Sequence, residues 1–326
     1  MEPLLQIEDL QVEFNTSRGR LKALCGVTFT MMPGEIFGLV GETGCGKTVT
    51  GLSVLRLISK PGQISGGRIL FKGVNLLDKT IDEMVKIRGS DISMIFQDPS
   101  CSLNPVFTAG YQIIHVIRQH QGGSAKQAKE RAIEVLEAIG LPDVHRLLDS
   151  YPHELSGGMQ QRIMIGMALS SRPDLLIADE PTTALDVTIK AQILDLLRDL
   201  QSRFKLTILL ITHDLGVVAE TCDRLAVLYA GHVVEIGTMT DLFTLPLHPY
   251  TRGLMSAIPT RHSHGHKLVA IKGTVPENPG SLIGCPFESR CELAFEKCSE
   301  PPPMFNLGNG HLCACWLLEQ MESLNG

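Results

Sequence analysis

The chain has 326 residues, 44% of them hydrophobic and 20% charged, with a formal net charge of −6. That length supports one ample core plus a second, smaller unit, and the composition carries no signature of disorder. The negative balance argues against a general nucleic-acid binder, which carries a basic surface. The start Met1-Glu2-Pro3-Leu4-Leu5 lacks the layout of a signal peptide, and no apolar run approaches the about 18 residues that cross a membrane as a helix. A cytoplasmic chain is expected, with any membrane role acting through a partner.

From about Leu5 to Gly237 short β-like runs alternate with helical periodicity, the pattern of an α/β domain with a largely parallel sheet. The apolar run Ile36-Phe37-Gly38-Leu39-Val40 reads as a buried strand and Val49 to Leu55 as a helix. Between them stands Gly41-Glu42-Thr43-Gly44-Cys45-Gly46-Lys47-Thr48, a phosphate-binding loop in the strand–loop–helix context that the motif requires. Its glycines let backbone N–H groups close on a triphosphate, and the helix N-terminus adds favourable partial charge. Lys47 is expected to reach the β- and γ-phosphates and the Thr48 hydroxyl to hold Mg²⁺; the nucleotide-binding set extends to Thr50 in the first helical turn. Cys45, beside Lys47 and a helix N-terminus, is expected to have a lowered thiol pKa, with ATP protecting it from alkylation. The plainer reading is that the position needs a small side chain.

Between about Pro99 and Pro152 the character is helical, with Ala128, Ala132, Val135, Leu136 and Ile139 on one face and Gly140-Leu141-Pro142 ending it. Leu155-Ser156-Gly157-Gly158-Met159-Gln160-Gln161-Arg162 follows; its small residues open a helix and can offer N–H groups and a hydroxyl to a phosphate. Leu175 to Ala178 is an apolar strand ending in Asp179 and Glu180, the first suited to a Mg²⁺ shell and the second to polarising an attacking water. Ile189, Ile193, Leu196, Leu197, Leu200 and Phe204 repeat at helical spacing, and Leu206 to Ile211 is a further buried strand. After about Pro246 prolines, histidines and loop formers replace the strands.

Taken together these stretches resemble the ATP-binding cassette (ABC) ATPases over nearly the whole of the first 240 residues. The resemblance implies a P-loop α/β core at residues 1–245, a helical subdomain inserted at about 99–160, and a small cysteine-rich C-terminal domain at 246–326. It makes Leu155 to Arg162 the signature, so that Ser156, Gly157 and Gly158 contact ATP held by a second ATPase subunit. It makes Gln97 the Q-loop glutamine that touches Mg²⁺ and water, Thr183-Ala184-Leu185-Asp186 the D-loop, and His213 the switch residue at the γ-phosphate. Phe14 is the candidate for stacking on adenine. Thr48, Gln97 and Asp179 form the implied Mg²⁺ set, and Glu180 with His213 implies a hydrolysis-competent chain. Two other classes fit less well. A soluble ABC protein of translation or DNA repair has paired cassettes or a long coiled coil, and a non-hydrolysing cassette loses Glu180 or His213.

Phe96-Gln97-Asp98-Pro99, Ser102-Leu103-Asn104-Pro105, Tyr151-Pro152-His153-Glu154, Met159 in place of the commoner Gln, and His248-Pro249-Tyr250-Thr251-Arg252-Gly253-Leu254 narrow the resemblance. They look like the dipeptide/oligopeptide/nickel permease branch of bacterial importers. That branch implies peripheral association with the cytoplasmic face of the membrane, a related but non-identical ATPase partner, two transmembrane permease subunits and an extracytoplasmic binding protein. Dipeptides or oligopeptides are the expected cargo; nickel, metallophores and glutathione are the alternatives, since this subunit does not touch the substrate.

Nine cysteines are present, and five of them crowd into the 31 residues from Cys285 to Cys315. The spacing C-x5-C-x6-C-x16-C through Cys285, Cys291, Cys298 and Cys315 does not match the short knuckles of common zinc sites, yet four thiolates suit iron–sulfur clusters and zinc alike. In this branch some members bind a [4Fe–4S] cluster in such a tail, which favours a cluster over zinc or uncommitted thiols; Cys313 is then the extra thiol. His262, His264 and His266 read as a solvated loop.

Overall fold

The computed structural model describes residues 2–17, 19–97, 102–183, 186–257 and 271–320. Asp98, Pro99, Ala184, Leu185 and the histidines 262, 264 and 266 named above lie outside that set. The chain divides into two compact units, residues 1–78 with 211–326, and residues 79–210.

The first unit opens with an antiparallel sheet. β1 (Leu5–Thr16) alternates buried Leu5, Ile7, Leu10 and Val12 with outward residues, as a strand with one covered face does. It pairs with β2 (Gly19–Met31) and, later, β4 (Gly62–Phe71), to which β5 (Val74–Asn75) adds. A mainly parallel sheet is the sequence expectation, and this sheet departs from it. The link from β1 to β2 is too short for a helical crossover, so the strands must turn back as a hairpin. β3 (Ile36–Val40) is buried at every residue and leads into α1 (Lys47–Val54).

In the second unit, α2 (Ile81–Ile87) starts at a Thr80–Glu83 capping box. β6 (Ile92–Ile95) and β7 (Leu175–Asp179) pair in parallel. Between them run α3 (Ala109–Gln121), α4 (Ala125–Ala138), α5 (Val144–Asp149) and α6 (Gly157–Leu169). α4 buries the face of Ala128, Ala132, Val135 and Leu136 that its periodicity marks, and Ser124 with Gln127 closes its capping box. α7 (Val187–Phe204) buries Ile193, Leu196, Leu197 and Leu200, whereas Phe204 in its last turn is 53% exposed. β8 (Thr207–Thr212), buried throughout, carries the chain back to the first unit.

There α8 (Leu215–Thr221) leads to β9 (Arg224–Tyr229), parallel to β3 and antiparallel to β10 (His232–Thr238). α9 (Met239–Thr244) and α10 (Pro249–Ser256) follow. The tail adds a small hairpin, β11 (Phe305–Asn306) and β12 (Leu312–Cys313), onto the outer edge of β10. One buried carboxylate fastens it there. Glu235 on β10 accepts from the N–H groups of Leu247 at 2.8 Å and His248 at 3.0 Å, and lies 2.8 Å from His311 Nε2. A carboxylate stripped of water is tolerable only with such a set of partners.

Candidate functional site

In the first unit the loop between β3 and α1 is shaped by glycine. Gly46, the N-cap of α1, has φ of 109° and no side chain caps the helix; a Cβ there would stand 2.6 Å from Leu24 Cδ2. A helix N-terminus without a side-chain cap suits an external anion. Lys47 folds back on the loop, its ammonium donating to the carbonyls of Gly41 at 2.8 Å and Glu42 at 3.0 Å. Thr43, Gly44 and Thr48 are exposed on the crest. Thr50 is fully buried and its hydroxyl donates to the Gly46 carbonyl at 3.0 Å, so it braces the loop from beneath.

Cys45 is buried, with its Sγ 3.8 Å from Lys47 Nζ. Burial pushes its thiol up, and the attraction of Lys47 offsets this only in part. The lowered pKa expected from the sequence is thus corrected. Proximity to a lysine is legible in a sequence, but desolvation of the thiolate depends on packing. Phe14 is half-buried near the end of β1 with its ring against Gly62. His213 is exposed directly after β8, and Asp214 behind it caps α8 by accepting from Gly216 N–H at 3.1 Å.

In the second unit Asp179 ends β7 at 2% exposure. Glu180 follows with φ of 47°, a left-handed conformation that turns the chain sharply after the strand. Its Oε2 accepts from Gln97 Nε2 at 3.1 Å and from the Thr183 hydroxyl at 2.8 Å. Gln97 and Glu180, chosen from separate motifs, are therefore brought together. Thr183 is a partner of the carboxylate that the sequence reading names only as part of the D-loop. Ser156 caps α6, accepting from Met159 N–H at 3.4 Å, with Ser156 and Gly157 exposed at that helix start. Gly158 faces Ile189 of α7, whose Cγ2 would lie 3.1 Å from an added Cβ. Asp186 caps α7 by position and is exposed.

A further cavity lies in the tail, in the first unit. It is lined by Cys285, Cys291, Cys298 and Cys315 together with His248, Phe287 and Trp316. Burial pushes the Cys285 thiol up to about 11, and burial likewise raises Cys291 and Cys315. Cys313 is not among the lining residues; it packs with Leu247, Cys315 and Leu318. Among the described residues no group of three or more His, Cys, Asp or Glu is gathered to grip a single metal ion. His248 was not anticipated from the sequence as part of this cavity. It is buried, its Nδ1 accepts from Tyr250 N–H at 3.1 Å, and its Nε2 has no partner.

The uncapped phosphate loop on one unit, and the acid pair with a serine-capped glycine helix on the other, are the parts of an ATP-binding cassette. Residues 24–183 match the family described as ABC transporter, and residues 234–298 match the oligopeptide/dipeptide transporter, C-terminal region. The dipeptide transport ATP-binding protein DppD of Bacillus subtilis is 46% identical over 322 residues, covering 98% of this chain and 96% of its own. The oligopeptide transport ATP-binding protein OppD of the same organism is 47% identical, covering 97% and 89%. Among solved structures, the dimeric post-hydrolysis state of the ATP-binding cassette MJ0796 bound to ADP and Pi matches with a TM-score of 0.65 and 27% identity. It covers 72% of this chain and 98% of that one. The chain belongs to the ABC transporter ATPases, in the branch that carries the oligopeptide/dipeptide C-terminal region.

Proposed function

We propose that this chain is the ATP-hydrolysing subunit that energises import of dipeptides or oligopeptides. The observation that carries the hydrolytic part is the carboxylate of Glu180, held by Gln97 and Thr183 immediately after Asp179. A carboxylate fixed by two donors is oriented to accept a proton from an attacking water. Lys47 and the first N–H groups of α1 balance phosphate charge, and His213 contributes at the γ-phosphate. The hydroxyl of Thr48, the amide oxygen of Gln97 and the carboxylate of Asp179 are oxygen donors of the kind Mg²⁺ takes, and Mg²⁺ there would neutralise charge on the phosphates. Ser156, Gly157 and Gly158 serve the nucleotide of a second ATPase subunit. That subunit is a related chain, working with two permease subunits and an external binding protein at the cytoplasmic face of the membrane. The proposed division is an ATPase domain at 1–245, with its helical insertion at about 99–160, and a C-terminal domain at 246–326.

The peptide cargo is supported by the names of the relatives and by the C-terminal family match. Glu180→Gln is expected to keep ATP binding and stop turnover; persisting turnover refutes its role. Uptake of labelled dipeptide and of nickel in cells with and without the gene tests the cargo. Loss of nickel entry alone overturns the peptide reading and leaves the ATPase assignments standing.

The tail cavity is proposed to hold a [4Fe–4S] cluster on Cys285, Cys291, Cys298 and Cys315. What supports the reading is the donor set: four thiols line one cavity, and a cluster offers a separate iron to each thiolate. The raised thiols bind on losing their protons, so loading would release protons. The cluster would tie together loops with little core of their own. Acid-labile sulfide and brown colour after anaerobic purification support it; stoichiometric zinc without sulfide refutes it.

A further inference from the structure

Glu42, inside the phosphate loop, is gripped by the tail at two points. Its backbone N–H donates to the Tyr250 hydroxyl at 2.9 Å, and its two carboxylate oxygens lie 3.1 and 3.2 Å from Arg290 Nη1. Its carbonyl, in turn, accepts from Lys47 at 3.0 Å. The lysine that meets the phosphates is thus one residue's backbone away from two side chains of the C-terminal segment.

Arg290 is built into place rather than reaching across a surface. Its side chain is 5% exposed. Nε donates to the Lys272 carbonyl at 2.8 Å and Nη2 to the Gly273 carbonyl at 3.2 Å. The guanidinium carbon lies 5.6 Å from the centre of the Tyr229 ring and 5.9 Å from that of Phe287, within reach of cation–π attraction. Burial disfavours its charge, but hydrogen bonds to Tyr229 and Glu42 outweigh this and leave its pKa raised. Tyr250, fully buried, packs edge-on to Tyr229 at 4.7 Å and beside Phe287 at 5.3 Å. Phe287 and Cys291, the residue after Arg290, both line the cysteine cavity.

A carboxylate in a phosphate-binding loop is a liability. Left unpaired, Glu42 would repel the triphosphate and draw on the charge of Lys47. We propose that Arg290 is a positioning residue of the nucleotide site: it neutralises Glu42 and, with Tyr250, holds the phosphate loop in its binding shape. ATP affinity therefore depends on the packing of the cysteine-bearing segment. The proposal rests on the ATP-binding reading given above.

The test is the MgATP dissociation constant of the full chain, measured by displacement of a fluorescent ATP analogue. Arg290→Gln is expected to weaken binding about tenfold, the scale of one charge-assisted hydrogen bond. The double variant Arg290→Gln with Glu42→Gln removes the stranded carboxylate and is expected to return to within about threefold of wild type. A merely structural arginine gives no such rescue. Unchanged affinity in Arg290→Gln, or a double variant as weak as the single one, overturns the proposal. Should Arg290→Gln fail to fold, Tyr250→Phe keeps the question open to refutation. Loss of its hydroxyl is expected to weaken MgATP about threefold, and unchanged affinity overturns the proposal. A wild-type chain that does not bind MgATP sinks the ATPase reading instead.

Discussion

Thr183→Val removes a hydroxyl donor to the Glu180 carboxylate while keeping the side chain's shape. In the structure the Thr183 hydroxyl donates to Oε2 at 2.8 Å, and Gln97 donates to the same oxygen at 3.1 Å. A hydrogen bond to a charged group contributes about 1.5–3 kcal/mol. Glu180 and Thr183 are only half-buried, so water replaces part of the lost bond and the cost falls at or below the low end, about 1–1.5 kcal/mol. If Thr183 orients the carboxylate for proton transfer, that cost appears in the barrier, an about five- to twelvefold fall in kcat at about 1.4 kcal/mol per decade. The KM for ATP stays put, because neither group bears on ground-state binding. Steady-state ATPase assays on the assembled transporter, with Thr183→Ser as the variant that keeps the donor, give both parameters. An unchanged kcat in Thr183→Val, or a raised KM with kcat intact, refutes the orienting role.

Gly46→Ala forces a Cβ onto a residue at φ 109°, 2.6 Å from Leu24 Cδ2 and 3.0 Å from the Ala23 carbonyl; strain of about 1–3 kcal/mol should open the loop, weaken MgATP binding more than about tenfold and lower the melting temperature, and wild-type binding would show that the loop tolerates a side chain. His311→Phe strips the buried Glu235 of its side-chain partner but leaves two N–H donors, so urea unfolding should show a loss of about 2 kcal/mol, within the range for a hydrogen bond to a charged group; a loss under about 1 kcal/mol contradicts the fastening role. Cys45, buried and with its thiol pushed up by burial, should react with iodoacetamide at pH 8 more slowly than the half-buried Cys25, whether or not ATP is present. Peptide mapping by mass spectrometry reads this directly, and rapid, ATP-protected labelling of Cys45 would restore the low-pKa picture.

Much of the site was legible in the order of residues because its chemistry is local. A phosphate loop needs its glycines, lysine and hydroxyl within eight positions, between a buried strand and a helix, and Ile36 to Leu55 declares all of them. β7 with Asp179 at its end and Glu180 just beyond, and the helix over Ile193, Leu197 and Leu200, were equally readable, since burial writes itself as apolar runs and helical spacing. What the order of residues could not give was long-range. Arg290 meets Glu42 across 248 positions, and His311 meets Glu235 across 76. No periodicity records either pairing. The left-handed turn at Glu180 and the desolvation of Cys45 depend on neighbours that only folding supplies. Sequence by itself determined which chemistry this protein carries, because reactive groups sit in short motifs. Only the tertiary structure decided that the cysteine-bearing tail holds the phosphate loop, because that depends on which distant side chains burial forces into contact.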